Sequence, residues 1–281
     1  MRINNRLLFV YVLLMLTASC RVASISTANT QDLSSIFKGT NSAFVLYNLN
    51  SNHYIRYNES RCSQRFSPKS TFKIPNSLIG LETGVIRDAD FGIPWDRQKY
   101  PAESYWNNTE PFIHWAQDQT LRSAFKYSVV WYYRELASRV GEQRMKKYVK
   151  AFKYGNQNTS GPADSFWLGG ELQISANEQV EFLKAFYTGR LPVSKRSTAT
   201  VKDILVMETS EAAPAYKLSG KTGGGQITDG KYIGWFVGYL ETGGNVYFYA
   251  MNIEGASFAE ISDKRIALTK QALIKLGYLP K

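Results

Sequence analysis

Runs of strand-forming residues stand at both ends of this chain, and the long stretch between them has the spacing of helices. Any sheet must therefore be assembled from segments far apart in sequence. Residues 42–47 and 54–57 are strand-like and are separated by the turn formers Asn48, Asn50, Ser51 and Asn52, which predicts a hairpin. Three more strands are predicted at 216–219, 232–240 and 246–253, with Gly243-Gly244 joining the last two as a second hairpin. A closing helix follows, with Ser262 or Asp263 as its cap, Ile261, Leu268, Ala272, Leu273 and Leu276 at helical spacing, and Gly277 as its stop. Between the two ends, 130–151 and 176–187 read as helices, and no Pro- or Ser-rich linker or internal repeat divides the chain. With 281 residues the chain is long enough to bury a full core. The architecture implied is α/β of the α+β type: an antiparallel sheet flanked by helices, about 40–70 and 205–281, plus an inserted all-helical lobe, about 71–204. A site is expected in the cleft between the lobes.

The first residues predict export. Met1, Arg2 and Arg6 precede an apolar run, 7–16, too short to span a bilayer, and the small residues Thr17, Ala18 and Ser19 follow, so 1–19 read as a signal peptide. Leu16-Thr17-Ala18-Ser19-Cys20 also resembles a lipoprotein box, leaving two outcomes open: a soluble periplasmic protein, or one anchored by a lipid on Cys20. Membrane contact is expected only through that lipid. Loss of Arg2 and Arg6 lowers the net charge from +11 to about +9. The cations are scattered rather than arranged in a stripe, which argues against a nucleic-acid partner and for mild attraction of carboxylate ligands. Cys62 remains as a lone thiol, so stability has to come from packing. Only His53 and His114 are present, which excludes a zinc hydrolase site; no metal is expected.

Ser70-Thr71-Phe72-Lys73 places a lysine amine one helical turn from a serine hydroxyl, an arrangement that makes a nucleophile without histidine. Ser35 to Lys38 and Ser123 to Lys126 have the same spacing. Only the tetrad at Ser70 is preceded by Ser67-Pro68 and followed by a buried-helix pattern, Ile74, Leu78, Ile79 and Leu81, up to Gly84. At the start of such a helix the unpaired amides and the dipole favour negative charge. Lys221-Thr222-Gly223 follows the strand run ending at Ser219, and a cation, a hydroxyl and glycines there suit a carboxylate-bearing substrate. An S-x-x-K followed downstream by K-T-G marks β-lactamases and penicillin-binding proteins. Ser128-Val129-Val130 is an S-x-V triplet, also matched at Ser138 to Val140; Ser128 begins a helix after a loop, where it is either a cap or a proton relay.

These three elements, with Tyr154-Gly155-Asn156 and Phe166-Trp167-Leu168 between them, stand in the order found in class D, oxacillinase-type, serine β-lactamases, and the chain resembles that family from the first hairpin to the last helix. The resemblance implies the penicillin-recognising serine transferase fold and hydrolysis of β-lactams through an acyl-enzyme on Ser70. It implies that Lys73 is carboxylated on its side-chain nitrogen by carbon dioxide and acts as the general base, with no other cofactor. A free amine is needed for that, while an ordinary lysine, with a pKa of ~10.4, is protonated at neutral pH. Burial among Phe72, Ile74, Trp167 and Leu168 has to depress it. By the same resemblance Trp167 donates its indole N–H to the carbamate while packing in the core, Ser128 relays a proton to the leaving nitrogen, and Lys221 and Thr222 hold that side of the ligand. The amides of Ser70 and Gly224 form the oxyanion hole. Arg265, which alone would read as a surface arginine, resembles the residue that binds the drug carboxylate, and Val130 and Leu168 resemble the apolar pair that regulates water entry.

The triplet at Ser128 is not S-D-N and no E-x-x-L-N segment supplies a glutamate base, so class A is disfavoured. Gly224-Gly225 stands where some relatives carry a bulkier residue, which leaves the substrate range open. The competing expectations are a β-lactam sensor domain that acylates but barely turns over, a penicillin-binding transpeptidase, and a non-catalytic binding lipoprotein. The sensors known carry membrane helices and an H-E-x-x-H segment, and neither is present in this sequence.

Overall fold

The computed structural model describes residues 32–107, 109–228 and 230–280. The predicted signal peptide and Cys20 lie outside the described residues. Both predicted hairpins form: β1 (Asn41–Asn48) pairs with β2 (His53–Tyr57), and late in the chain come β3 (Val206–Ser210), β4 (Tyr216–Thr228), β5 (Lys231–Thr242) and β6 (Asn245–Gly255). They make one six-stranded sheet in the order β2-β1-β6-β5-β4-β3, every neighbour antiparallel. The first hairpin joins the last strand through β1 and β6, with Phe44 opposite Met251. The N-terminal hairpin is therefore joined to the sheet beside its last strand.

Both faces of this sheet are covered, which is why its central strands are apolar almost throughout. Phe44, Leu46, Phe236, Leu240 and Met251 point to one side and pack with Ile261, Ala272 and Leu273 of the last helix. Ala43, Val45, Trp235, Val237, Tyr239 and Phe248 point to the other, against the helical lobe. Alternate side chains of a strand face opposite ways, so two dry faces need apolar residues at consecutive positions.

Longer helices of the lobe are α1 (Lys73–Glu82), α2 (Val130–Val140), α3 (Glu142–Ala151), α4 (Ala176–Tyr187) and α5 (Lys195–Leu205), and α6 (Phe258–Lys275) closes the fold. Helix α4 has the predicted bounds, and its start is set by a capping box between Ser175 and Glu178. The stretch 130–151 is two helices instead of one. Gly141, with φ of +83°, breaks it, a backbone angle open to glycine. The last helix begins earlier than expected: Ser257 is the cap, accepting from the Glu260 amide, and neither Ser262 nor Asp263 plays that part. Strand β4 runs nine residues beyond Ser219, so Lys221-Thr222-Gly223 lies within the sheet and not after it. Its glycines carry no strand signal alone. Pairing with β5, from Tyr216–Thr242 to Thr228–Lys231, holds them extended.

Candidate active site

A tight 3-10 turn, Lys69–Phe72, carries Ser70 and leads directly into α1, so the tetrad straddles the turn and the first helical residue. Pro75 sits in the first turn of α1, where its missing N–H removes no helical bond. Ile74, Leu78 and Ile79 anchor the helix in the core. With its axis fixed this way, the spacing brings Lys73 Nζ to 2.8 Å from Ser70 Oγ. The other two S-x-x-K matches are ordinary helix ends. Ser123 completes a capping box with Thr120, and Lys38 is an exposed helix terminus.

Lys73 is fully buried. Its amine lies 5.2 Å above the ring of Tyr133, and among the described residues it has no carboxylate in ion-pair contact. Burial holds its pKa well below the ordinary lysine value, and the nearby Lys221 ammonium lowers it further. Ser77 fixes the backbone here, donating to the Lys73 carbonyl at 2.7 Å and bonding the Tyr133 hydroxyl at 2.9 Å.

A second serine–lysine pair faces the first. Lys221 Nζ donates to Ser128 Oγ at 3.1 Å, and burial followed by the charge of Arg265 pushes the Lys221 pKa down to about 7. Ser128 is not a helix cap: Val129 precedes α2 as its N-cap, and Ser128 itself takes the left-handed φ of +58°, which turns its hydroxyl to Lys221. The approach of β4 to the Ser70 turn depends on Gly223. A Cβ there would lie 2.9 Å from the Pro68 carbonyl oxygen and 3.0 Å from a methyl of Thr71.

Arg265, 8% exposed, reaches from α6 under this strand and donates through Nη1 to the Gly223 carbonyl. It is no surface arginine. Its Nε is buried without a partner among the described residues, burial lowers its pKa to about 10, and a Cβ at Gly224 would strike Nη1 at 2.6 Å. Ser70, Ser128, Val130, Thr222, Gly224 and Arg265 all line one cleft. Phe112 and Trp115 also line it, and no motif in the sequence announces them.

Trp167 and Leu168 belong to a four-residue helix, Phe166–Gly169, on the loop between α3 and α4. Trp167 is buried and stacks on Phe72 with ring centroids 5.2 Å apart. Leu168 is half-buried against the core and is not among the residues lining the cleft with Val130. Tyr154-Gly155-Asn156 acts as the clamp of this loop. Asn156 donates from Nδ2 to the Glu171 carbonyl at 2.8 Å and accepts the Gln173 amide at 3.0 Å. Gly155 has φ of +53°, and a Cβ on it would overlap the Gln173 carbonyl at 2.0 Å. Tyr154 is fully buried against Phe72. Neither Lys69 nor Gln179 stands in a motif that marks it in the sequence, yet Lys69 Nζ donates to the Leu168 carbonyl at 2.6 Å, and Gln179 Nε2 to the Thr71 hydroxyl at 2.9 Å.

Residues 25–272 match the penicillin-binding protein transpeptidase domain. The chain is 41% identical over 236 residues to β-lactamase OXA-48 of Klebsiella pneumoniae, covering 84% of this chain and 83% of that one. It is 38% identical over 253 residues to the regulatory protein BlaR1 of Bacillus licheniformis, covering 89% of this chain but only 39% of BlaR1. Among solved structures, the class D β-lactamase YbXI from Nostoc is similar with a TM-score of 0.79 and 40% identity, over 88% of this chain and 99% of that one. Likeness of this depth, extending over the sheet, the helical lobe and the cleft between them, means that the chain belongs to the class D β-lactamase family.

Proposed function

We propose that the chain hydrolyses β-lactam amides through an ester on Ser70, with the Lys73 side chain as the base. The observation that carries this is the 2.8 Å contact of Ser70 Oγ with a fully buried lysine amine that has no acidic partner among the described residues. An amine whose neutral form burial favours can take the serine proton as Oγ attacks the lactam carbonyl. The backbone amides of Ser70 and Gly224 receive the oxyanion. When the C–N bond breaks, the leaving nitrogen takes a proton from Ser128, whose hydroxyl lies against Lys221. Lys221 and Thr222 hold that side of the substrate, Arg265 holds its carboxylate, and Val130 and Leu168 limit water at the lysine pocket. Water then attacks the ester, and the base at position 73 takes its proton.

The Lys73 pocket also suits carboxylation by carbon dioxide. Burial favours its neutral amine, the core around this turn includes Phe72, Ile74 and Trp167, and no described acid competes for it. Carbon dioxide on Nζ would supply an oxygen base there, with the Trp167 indole N–H as donor to it. No metal is required in this scheme, and among the described residues no group of three His, Cys, Asp or Glu side chains lies together. Export with removal of 1–19, a periplasmic location and a lipid on Cys20 belong to the same reading; the intact mass of the mature protein distinguishes the free from the acylated form.

Similarity to BlaR1 favours a second reading, in which Ser70 is acylated but the ester is long-lived. Stopped-flow hydrolysis of a chromogenic cephalosporin, with and without bicarbonate, separates the two. Repeated turnover that rises with bicarbonate and vanishes in Ser70→Ala is expected. A single stoichiometric burst would establish the receptor instead.

A further inference from the structure

Lys69 takes no part in the steps above, yet it is 6% exposed and adopts the left-handed φ of +50° immediately before Ser70. Buried lysines are rare unless paired, and a long side chain seldom takes that backbone angle. Two unfavourable features at one position require a compensating contact, and Lys69 has one. Its Nζ donates to the carbonyl of Leu168 at 2.6 Å. Burial depresses its amine, and the carboxylate of Glu171 on the same loop opposes that shift.

The segment at the far end of this bond cannot hold itself. Phe166–Gly169 is a single helical turn, and one turn in isolation is unstable because nucleation fixes several residues for one hydrogen bond. Ser67 Oγ ties its Trp167 carbonyl at 2.8 Å, and Lys69 ties the next carbonyl, so the segment leading into Ser70 grips the loop at two successive residues. The stem of Lys69 is braced in turn by β4. A Cβ at Gly225 would come within 3.5 Å of its Cδ and Cε, so the lysine stem lies against the face that glycine leaves bare.

We infer that Lys69 is a positioning residue, a latch between the Ser70 turn and the 166–169 segment that keeps Trp167 seated beside Phe72 at the Lys73 pocket and thereby sustains deacylation. The kinetic part of this inference rests on the function proposed above; the latch itself does not. Lys69→Met keeps the stem and loses the donor, while Lys69→Arg keeps a donor. In Lys69→Met, hydrogen exchange of peptides covering 162–173 should quicken at least tenfold with the sheet unchanged. Its kcat should fall at least tenfold with a smaller loss of kcat/KM, the acyl-enzyme should accumulate, and bicarbonate should restore part of the rate. Lys69→Arg should keep kcat within about threefold of wild type. Should Lys69→Met fail to fold, Lys69→Leu, also without a donor, carries the same expectation. Unchanged exchange at 162–173, or wild-type kcat in the Met and Leu variants, overturns the latch. Faster exchange with bicarbonate inert in every form, wild type included, leaves the latch standing and removes the carbamate.

Discussion

Three basic side chains, Lys73, Lys221 and Arg265, are buried around one cleft, and none forms an ion pair with a described carboxylate. Each would be more stable uncharged or beside an anion, which is how the fold turns an ordinary lysine into a base and keeps an arginine ready for a carboxylate. The sign of the stability effect follows from Lys221. Its pKa falls from 10.5 to about 7 on folding, so above about 7 the unfolded chain binds more protons and stability rises with pH until the lysine of the unfolded chain itself titrates. In degassed buffer the wild type should gain a few degrees of Tm between about pH 7 and 9 relative to Lys221→Met. Parallel melting curves for the two would show that Lys221 stays charged in the fold. Arg265→Ala should raise KM for carboxylate-bearing β-lactams about tenfold, with a smaller change in kcat, because ground-state binding is what it removes. Unchanged kinetics would assign Arg265 only to holding the Gly223 carbonyl.

At the scale of elements, the site depends on segments that have little structure of their own. The loop bearing Trp167 is held by Asn156 and by the close approach of Gly155 to Gln173, so Tyr154-Gly155-Asn156 is a clamp and touches none of the cleft-lining residues' chemistry. Gly155→Ala combines a left-handed backbone angle with a 2.0 Å overlap on a carbonyl oxygen. It should cost at least ~2 kcal/mol and lower Tm by roughly 5 °C or more. Wild-type melting would mean that the loop relocates freely. The motif was visible in the sequence, but its mechanical role was not, since Gln173 lies on the returning arm of the loop. Likewise the break at Gly141 and the early start of α6 at Ser257 depend on which positions pack, and periodicity places such ends only loosely.

For the molecule as a whole, a buried arginine at the cleft without a described carboxylate beside it implies that an anionic ligand stabilises the fold. Ser70→Ala, saturated with benzylpenicillin at about 100 times its Kd, should gain ~2.7 kcal/mol, several degrees of Tm, and Arg265→Ala in the same background should lose most of the gain. A ligand-independent Tm in Ser70→Ala would sink this picture of the cleft. Local rules carry the two hairpins, helix α4, the one-turn spacing of Ser70 and Lys73, and through five ordered motifs the family and its fold. Which charges are buried depends instead on contacts between segments far apart in the chain. Lys221 meets Ser128 across 93 residues, Lys69 meets Leu168 across 99, and Arg265 meets Gly223 across 42. Desolvation comes from everything packed around a group, so a depressed lysine, an arginine beneath a strand or a serine that declines to cap its helix cannot be read from neighbours in sequence.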